Sequence, residues 1–403
     1  MGSRRIRGAA LAIAALVLAG CGSHLDGTAH PGEIDVRTLD VGPYSTAPIE
    51  QRYIYYPDMH NGLNLAAMRL ADNVVNGPEI DPMFKYGTGM KSFTDMDDAT
   101  MLAAVARPVL ANNGMLIGVS ASNADQPLDK SKPTSDDVSF TAMTVVQFSD
   151  EAAAAKAATE LDAADFGVAA DVNQPLTLAK YPTAHAHWRP GVASMGSTLA
   201  HGNYIVDLMV GGKTPEVAQL TGLAEKVYDA ELPLLDALKP LSKEDALRLP
   251  YDPDDMWRRT LSPSAFGTPD LLTQSRYELR GFLNQVGDQD YWTHLMKLSG
   301  VDRFSKSSEM ASNSMLYRTR DTAAAVKLAG VILDRSYPGP ADAPAVLPNA
   351  KCGESTVQDD FETKRFRCVV TYRQYVATVE SDQLDDAHQR AAAQYGLLAN
   401  STW

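Results

Sequence analysis

The sequence predicts an α+β protein of two related domains, each a small, mainly antiparallel sheet packed with helices. Three observations predict it. Val138 to Phe148 is an apolar β-type stretch that leads through Ser149-Asp150-Glu151 into an Ala-rich helix from Ala152 to Leu161. Met315 to Arg318 leads in the same way through Thr319-Arg320-Asp321 into a helix from Thr322 to Leu333, an offset of 170 residues. Further on, the strand Gly202-Asn203-Tyr204-Ile205-Val206-Asp207-Leu208 matches Arg373-Gln374-Tyr375-Val376-Ala377-Thr378-Val379 at an offset of 171. Two copies of strand, helix, long link, two strands and helix, at nearly one offset, imply a duplicated unit.

The elements follow in chain order. Arg4, Arg5 and Arg7 precede an uncharged apolar run from Gly8 to Leu18, too short for the roughly 20 residues of a spanning helix. Residues 1–20 therefore read as an export signal. Leu18-Ala19-Gly20-Cys21 resembles the bacterial lipobox, whose cysteine carries diacylglycerol and a further fatty acyl chain such as palmitate once cleavage makes it the first residue. Residues 21–50, rich in Gly, Pro, Ser and Thr, are expected to be a flexible tether. The N-terminal domain is expected over 51–245. Within it Tyr53-Ile54-Tyr55-Tyr56 reads as a strand, Leu63 to Val75 as a helix ended by Gly77-Pro78, and Ala99 to Leu110 as a helix. Gly114 to Ser120 reads as a strand and Thr214 to Leu235 as a helix. Ser149 and Thr319 are the expected N-caps of the repeated helices. Pro233 to Pro263 is a Pro- and Asp-rich strap into a C-terminal domain over 246–403, which closes on a helix from Asp382 to Leu398.

Composition narrows the partners. Hydrophobic residues make up 45% and charged residues 21%, the balance of a globular chain. The formal net charge is −14, and loss of the three signal-segment arginines takes it to −17. That balance excludes nucleic acid, which requires clustered Lys and Arg. It also speaks against a body lying flat on anionic lipid, so membrane attachment is expected through acyl chains.

Of three cysteines, acylation of Cys21 leaves Cys352 and Cys368. In an exported chain these are expected to form a disulfide; closing that 16-residue separation contributes about 3 kcal/mol on the chain-entropy account. Two free buried thiols are the plainer alternative. A metal pair is disfavoured because no His or third Cys sits nearby in the sequence.

Other candidates weigh against ordinary explanations. Gly118-Val119-Ser120-Ala121-Ser122 superficially matches a nucleophile elbow, but it lacks the second glycine and reads as a plain strand end. His185 and His187 would share one strand face, a legitimate metal geometry with His201 or Asp207 as further ligands; surface histidines are the alternative. Asp252, Asp254 and Asp255 offer hard oxygens without the glycine and late glutamate of a calcium loop. Asp95, Asp97 and Asp98 do the same, with Asp97-Asp98 the expected cap of the following helix. Met83, Met90, Met96, Met101 and Met115 suit an adaptable apolar surface or simple gap filling. The reading therefore assigns no catalytic residue, no metal and no cofactor.

With these pieces assembled, the chain resembles an uncharacterised lipoprotein family of mycolic-acid-bearing actinobacteria with paired N- and C-terminal domains of unknown function. The resemblance covers most of residues 21–400. It rests on Leu18-Ala19-Gly20-Cys21, the helix start Arg318-Thr319-Arg320-Asp321, the strand Phe366-Arg367-Cys368-Val369-Val370 and the closing helix through Ala393-Gln394-Tyr395. It implies location and architecture and brings no activity. The expected function is a lipid-anchored binding or accessory role on the outer side of the cytoplasmic membrane, toward a lipidic or glycolipid ligand or an envelope protein. A secreted hydrolase of envelope esters or glycans and a structural spacer are the alternatives.

Overall fold

Among the described residues of the computed structural model, fourteen strands fall into two seven-stranded sheets that follow the same path. The structure describes residues 34–48, 52, 54–127, 137–262, 271–309, 312–333, 335–356 and 364–401. Residues 1–20, expected to be an export signal, and Cys21 and Tyr53 lie outside these residues. Val36–Trp403 form one compact unit. Among the described residues no helix is long and apolar enough to cross a membrane.

The first sheet comprises β1 (Tyr86–Phe93), β2 (Ile117–Ala124), β3 (Phe140–Gln147), β4 (Gln174–Leu176), β5 (His185–Trp188), β6 (Ser194–His201) and β7 (Tyr204–Gly211). Their spatial order is β1-β2-β3-β7-β6-β5-β4. Among the described residues, this half carries the helices α1 (Met59–Ala71), α2 (Gly77–Ile80), α3 (Ala106–Asn112), α4 (Glu151–Gly167), α5 (Val217–Ala237) and α6 (Lys243–Leu247). The second half contains β8 (Gln274–Tyr277), α7 (Leu279–Leu283), α8 (Gln289–Ser299), β9 (Arg303–Glu309), β10 (Ser312–Arg318) and α9 (Thr322–Val331). It continues through β11 (Gly339–Ala341), β12 (Lys351–Glu354), β13 (Phe366–Tyr372), β14 (Tyr375–Ser381) and α10 (Leu384–Asn400). Its order, β8-β9-β10-β14-β13-β12-β11, repeats the first, and neighbouring strands in both sheets are antiparallel. The α+β duplication is thus present, with sheets larger than the sequence pattern suggested.

The offset between copies is 171 throughout the central strands. Phe148 N–H donates to Asn203 O and Thr319 N–H to Gln374 O, each at 2.8 Å, so the helix-bearing strand is stitched to the same hairpin turn in both copies. The helix caps obey this offset too, and they correct the expected ones. Asp150 accepts from Ala153 N–H and Asp321 from Ala324 N–H, each at 2.8 Å, a contribution of about 1 kcal/mol per cap. Ser149 instead donates to Asp150, while the Thr319 hydroxyl donates to Gln374 O in the neighbouring turn. Carboxylates take the caps because they meet the positive end of the helix as ions.

One sheet face of the N-terminal half packs α1 and α5 through Met143, Val145, Val206 and Leu208. The opposite face carries α3 and α4, where Ala154, Ala157 and Ala158 let α4 approach Val146 and Ile205 closely. The two halves meet along a polar seam. Asn284 donates to Val74 O (2.8 Å), Gly77 N–H to Gln289 Oε1 (2.8 Å) and Glu278 N–H to Asp72 Oδ1 (2.8 Å). Arg280 grips Glu79 with two nitrogens, and the buried Glu231 accepts from Val75 N–H at 2.9 Å.

Several local expectations change. Residues 55–58 carry no strand; Tyr55 stacks on Tyr251, which packs on Trp257, and this aromatic stack holds the segment without sheet pairing. The helix expected from Ala99 begins only at Ala106, preceded by a single 3₁₀ turn over Met96–Asp98 that Asp95 caps. Gly77-Pro78 opens α2 rather than merely ending α1. Residues 36–48, expected within the tether, dock on α10: Tyr44 donates to Asp386 (2.6 Å), Arg390 covers the Tyr44 ring, and Asn400 donates to Thr46 O (2.8 Å).

Candidate functional site

Strand periodicity aligns one row of polar side chains across the face shared with α4. Ser120, Thr144, Asp207 and Thr198 are register neighbours on β2, β3, β7 and β6. Ser120 and Thr144 hydroxyls lie 2.8 Å apart, and Thr198 Oγ1 donates to Asp207 Oδ1 at 2.5 Å. One step along the strands lie Met209, Gly196 and His187. His185 and His187 thus share a face, as β alternation requires.

His187 is held from above by α4. Its Nδ1–H donates to Asp162 Oδ1 at 3.0 Å, and Nε2 lies 3.4 Å from Asp165 Oδ2; the acids are one helical turn apart. Phe166 presents its ring edge-on at 5.6 Å. Hydrogen bonding to Asp162 and then Asp165 outweighs burial and lifts the imidazole to about 9, so it is a cation at neutral pH. Asp207 is raised to about 6, chiefly by burial, against the opposing Thr198 hydrogen bond.

His187, Gly196, Thr198, Asp207 and Met209 floor a cleft of about 330 Å³. Met101, Leu102 and Val105 form one wall and Leu161, Asp165 and Val168 the other. The rim is apolar yet open to solvent: Val168 is 64%, Met209 51% and Val192 40% exposed. Gly196 keeps the floor low, since a Cβ there would stand 3.5 Å from both Asp165 Oδ2 and the His187 ring. An apolar rim above a few convergent polar groups is the form of a small-ligand site.

The second copy closes this place with its own side chains. Arg367 and Glu380 stand at the positions of Gly196 and Met209 and pair across β13 and β14. Arg367 also covers the Tyr337 ring at 4.2 Å, and Asn313 donates to Glu380 at 3.0 Å.

A general base near neutrality needs a free imidazole lone pair, whereas His187 is charged with both nitrogens facing carboxylates. Ser197 is on the opposite face and bonds Tyr228 OH at 2.9 Å. Ser120 and Ser122 stand within the extended β2, Ser122 bonded to Thr88, so no nucleophile elbow forms.

The remaining sequence candidates have structural roles. Asp252 accepts three backbone N–H groups from Met256, Trp257 and Arg258. Asp254 pairs with Arg303 and Arg276, and Asp255 with Arg52 and Arg259. Asp98 pairs with Lys91 and Asp97 faces Arg107. His201 bonds Asp236 at 2.6 Å, away from the cleft, and His185 Nε2 lies 3.4 Å from Thr159 Oγ1. Of the methionines singled out, Met101 lines the cleft. Cys352 and Cys368 are register partners on β12 and β13, joined by a disulfide. Asp162, Asp165 and Thr198 escaped the sequence reading; two acids three apart on an Ala-rich helix look like an ordinary solvated face.

The fold is that of a duplicated α+β protein, with an open, ligand-sized cleft in its N-terminal half. The chain belongs to the DUF7373 family of unknown function: that family's N-terminal domain matches residues 53–251 and its C-terminal domain residues 256–401. No curated protein sequence matches it. Among solved structures it is similar to the extracellular domain of PknH from Mycobacterium tuberculosis, with 12% identity and a TM-score of 0.30 over 42% of this chain and 96% of that one. A likeness so slight carries no functional argument.

Proposed function

We propose that this protein is an exported lipoprotein, held through acylated Cys21 on the outer face of the cytoplasmic membrane, that binds an amphiphilic envelope ligand without transforming it. The setting is the envelope of a mycolic-acid-bearing actinobacterium, and the ligand is a lipid or glycolipid. Its apolar chain lies against Met101, Val105, Val168 and Met209, and its hydroxylated head over Thr198, Asp207 and the His187–Asp165 pair. One observation carries the reading: the cleft joins a solvent-exposed apolar rim to a buried polar floor, and the same place in the second domain is filled. The basic, then uncharged, leader and Leu18-Ala19-Gly20-Cys21 support the location. The acidic body supports attachment by acyl chains rather than by surface charge.

Native mass spectrometry of the full-length protein, extracted gently from its membrane, tests both parts. The expected spectrum shows a chain that begins at acylated Cys21 and carries a noncovalent adduct shed on activation. A ligand-free mass at every extraction condition sinks the ligand reading. An unprocessed N-terminus sinks the anchor.

A further inference from the structure

The C-terminal domain holds a second group of chemistry-bearing residues that the cleft does not involve. Ala341, Cys352, Cys368 and Val379 form one row across β11, β12, β13 and β14. Helix α10 packs on β13 and β14 and brings His388 over the disulfide. Both Sγ atoms and one His388 ring nitrogen lie within 4.8 Å of one another. Tetrahedral Zn²⁺, with S at about 2.3 Å and N at about 2.1 Å, sets its donor atoms roughly 3.5–3.8 Å apart. Three donors so confined need only small shifts to share a cation once the S–S bond is gone.

Two neighbours support such a site. His388 Nε2 lies 2.6 Å from the Asp342 carbonyl, so Nε2 carries the proton and Nδ1 the lone pair, an arrangement common at ligating histidines. A cavity of about 300 Å³, lined by His388, Asp40, Asp385 and Val346, gives ions a route to the ring past two carboxylates. The sequence disfavoured a metal here because no His stood nearby; the fold supplies one from 20 residues beyond Cys368.

We propose that reduction of the Cys352–Cys368 disulfide creates a site for one thiophilic divalent cation of the zinc class, ligated by both thiolates and His388. A dithiol supplies two electrons and two protons and becomes a disulfide itself, while the protein's S–S bond breaks to two thiols. Cation binding then releases both thiol protons to solvent. The protein so alternates between a covalent staple and a metal staple at one edge of the second sheet.

Full-length protein in detergent, oxidised or reduced with a phosphine and desalted without oxygen, is titrated with Zn²⁺ against a chromophoric chelator. Co²⁺ reports thiolate coordination by its charge-transfer absorption. The expected result is one Zn²⁺ per chain in the reduced form, none at this place in the oxidised form, and at least about tenfold weaker binding in His388→Ala. Far-UV circular dichroism on each sample verifies the fold. Equal binding by oxidised protein, undiminished affinity in His388→Ala, no stoichiometric binding, or a chain that unfolds on reduction each overturns the proposal.

Discussion

Gly196 and Arg367 occupy the same place in the two copies of the fold, each opposite the strand residue that limits the floor of its sheet face. Glycine leaves the N-terminal face open above Met209, whereas Arg367 fills the C-terminal face by pairing with Glu380 beneath Tyr337. The difference gives a direct way to close the cleft. Gly196→Arg is expected to lay its guanidinium against Asp165 and lower affinity for an amphiphilic fluorescent probe at least about tenfold, or about 1.4 kcal/mol. Unchanged probe affinity in a folded variant would place binding elsewhere.

His187 is expected to titrate near 9 in imidazole NMR spectra, because Asp162 and Asp165 favour its charged form. The folded value stands above the ordinary 6.5, so its stabilising contribution is full below 6.5 and fades as pH rises through about 9. Asp162→Asn removes the larger influence and should bring the titration down by a unit or more. A wild-type midpoint at or below 6.5 would contradict this geometry.

Glu231 behaves in the opposite sense. Burial at the seam raises it from 4.5 to about 8, although Val75 N–H favours the ion. The unfolded chain ionises first, so the wild type loses stability from about pH 4.5 up to about 8 and changes little beyond. Glu231→Gln keeps an acceptor for Val75 and should flatten that loss, gaining on the order of a few kcal/mol at pH 8. Denaturant melts at pH 5 and pH 8 measure it; parallel curves for both proteins would refute the assignment.

Arg373 sits at φ 50° in the β13–β14 turn, where the first copy has Gly202 at φ 53°. Left-handed backbone disfavours a side chain by about 1 kcal/mol, partly offset by the unfolded-state entropy of glycine. Arg373→Gly should therefore stabilise by about 0.5 kcal/mol, read as a higher unfolding midpoint. A lower midpoint would mean that the Arg373 contact with the Tyr372 ring outweighs the strain.

The repeated strand–helix units were legible because apolar periodicity and acidic helix starts are local signals, and Asp150 and Asp321 lie within two residues of the expected caps. The short strands β4, β11 and β12 were not legible as sheet members, and β5 only through the His185–His187 alternation, since segments of three or four residues acquire their identity only from the partner strand. Tyr53 to Tyr56 shows the converse error: aromatic content suggested a strand, but Tyr55 found Tyr251 instead. The cleft was half visible. His187 and Asp207 stood out as residue types, while Asp162, Asp165 and Gly196 acquire meaning only when α4 crosses β5 and β6. The approach of His388 to Cys352 and Cys368 is likewise a product of tertiary packing.

The central claim is that the N-terminal cleft holds an envelope amphiphile. Paired native mass spectra of wild-type and Gly196→Arg protein, produced in the same cells and extracted identically, test it most directly. The account predicts an adduct on the wild type that is absent from the equally folded variant. An adduct carried to the same extent by both would contradict it.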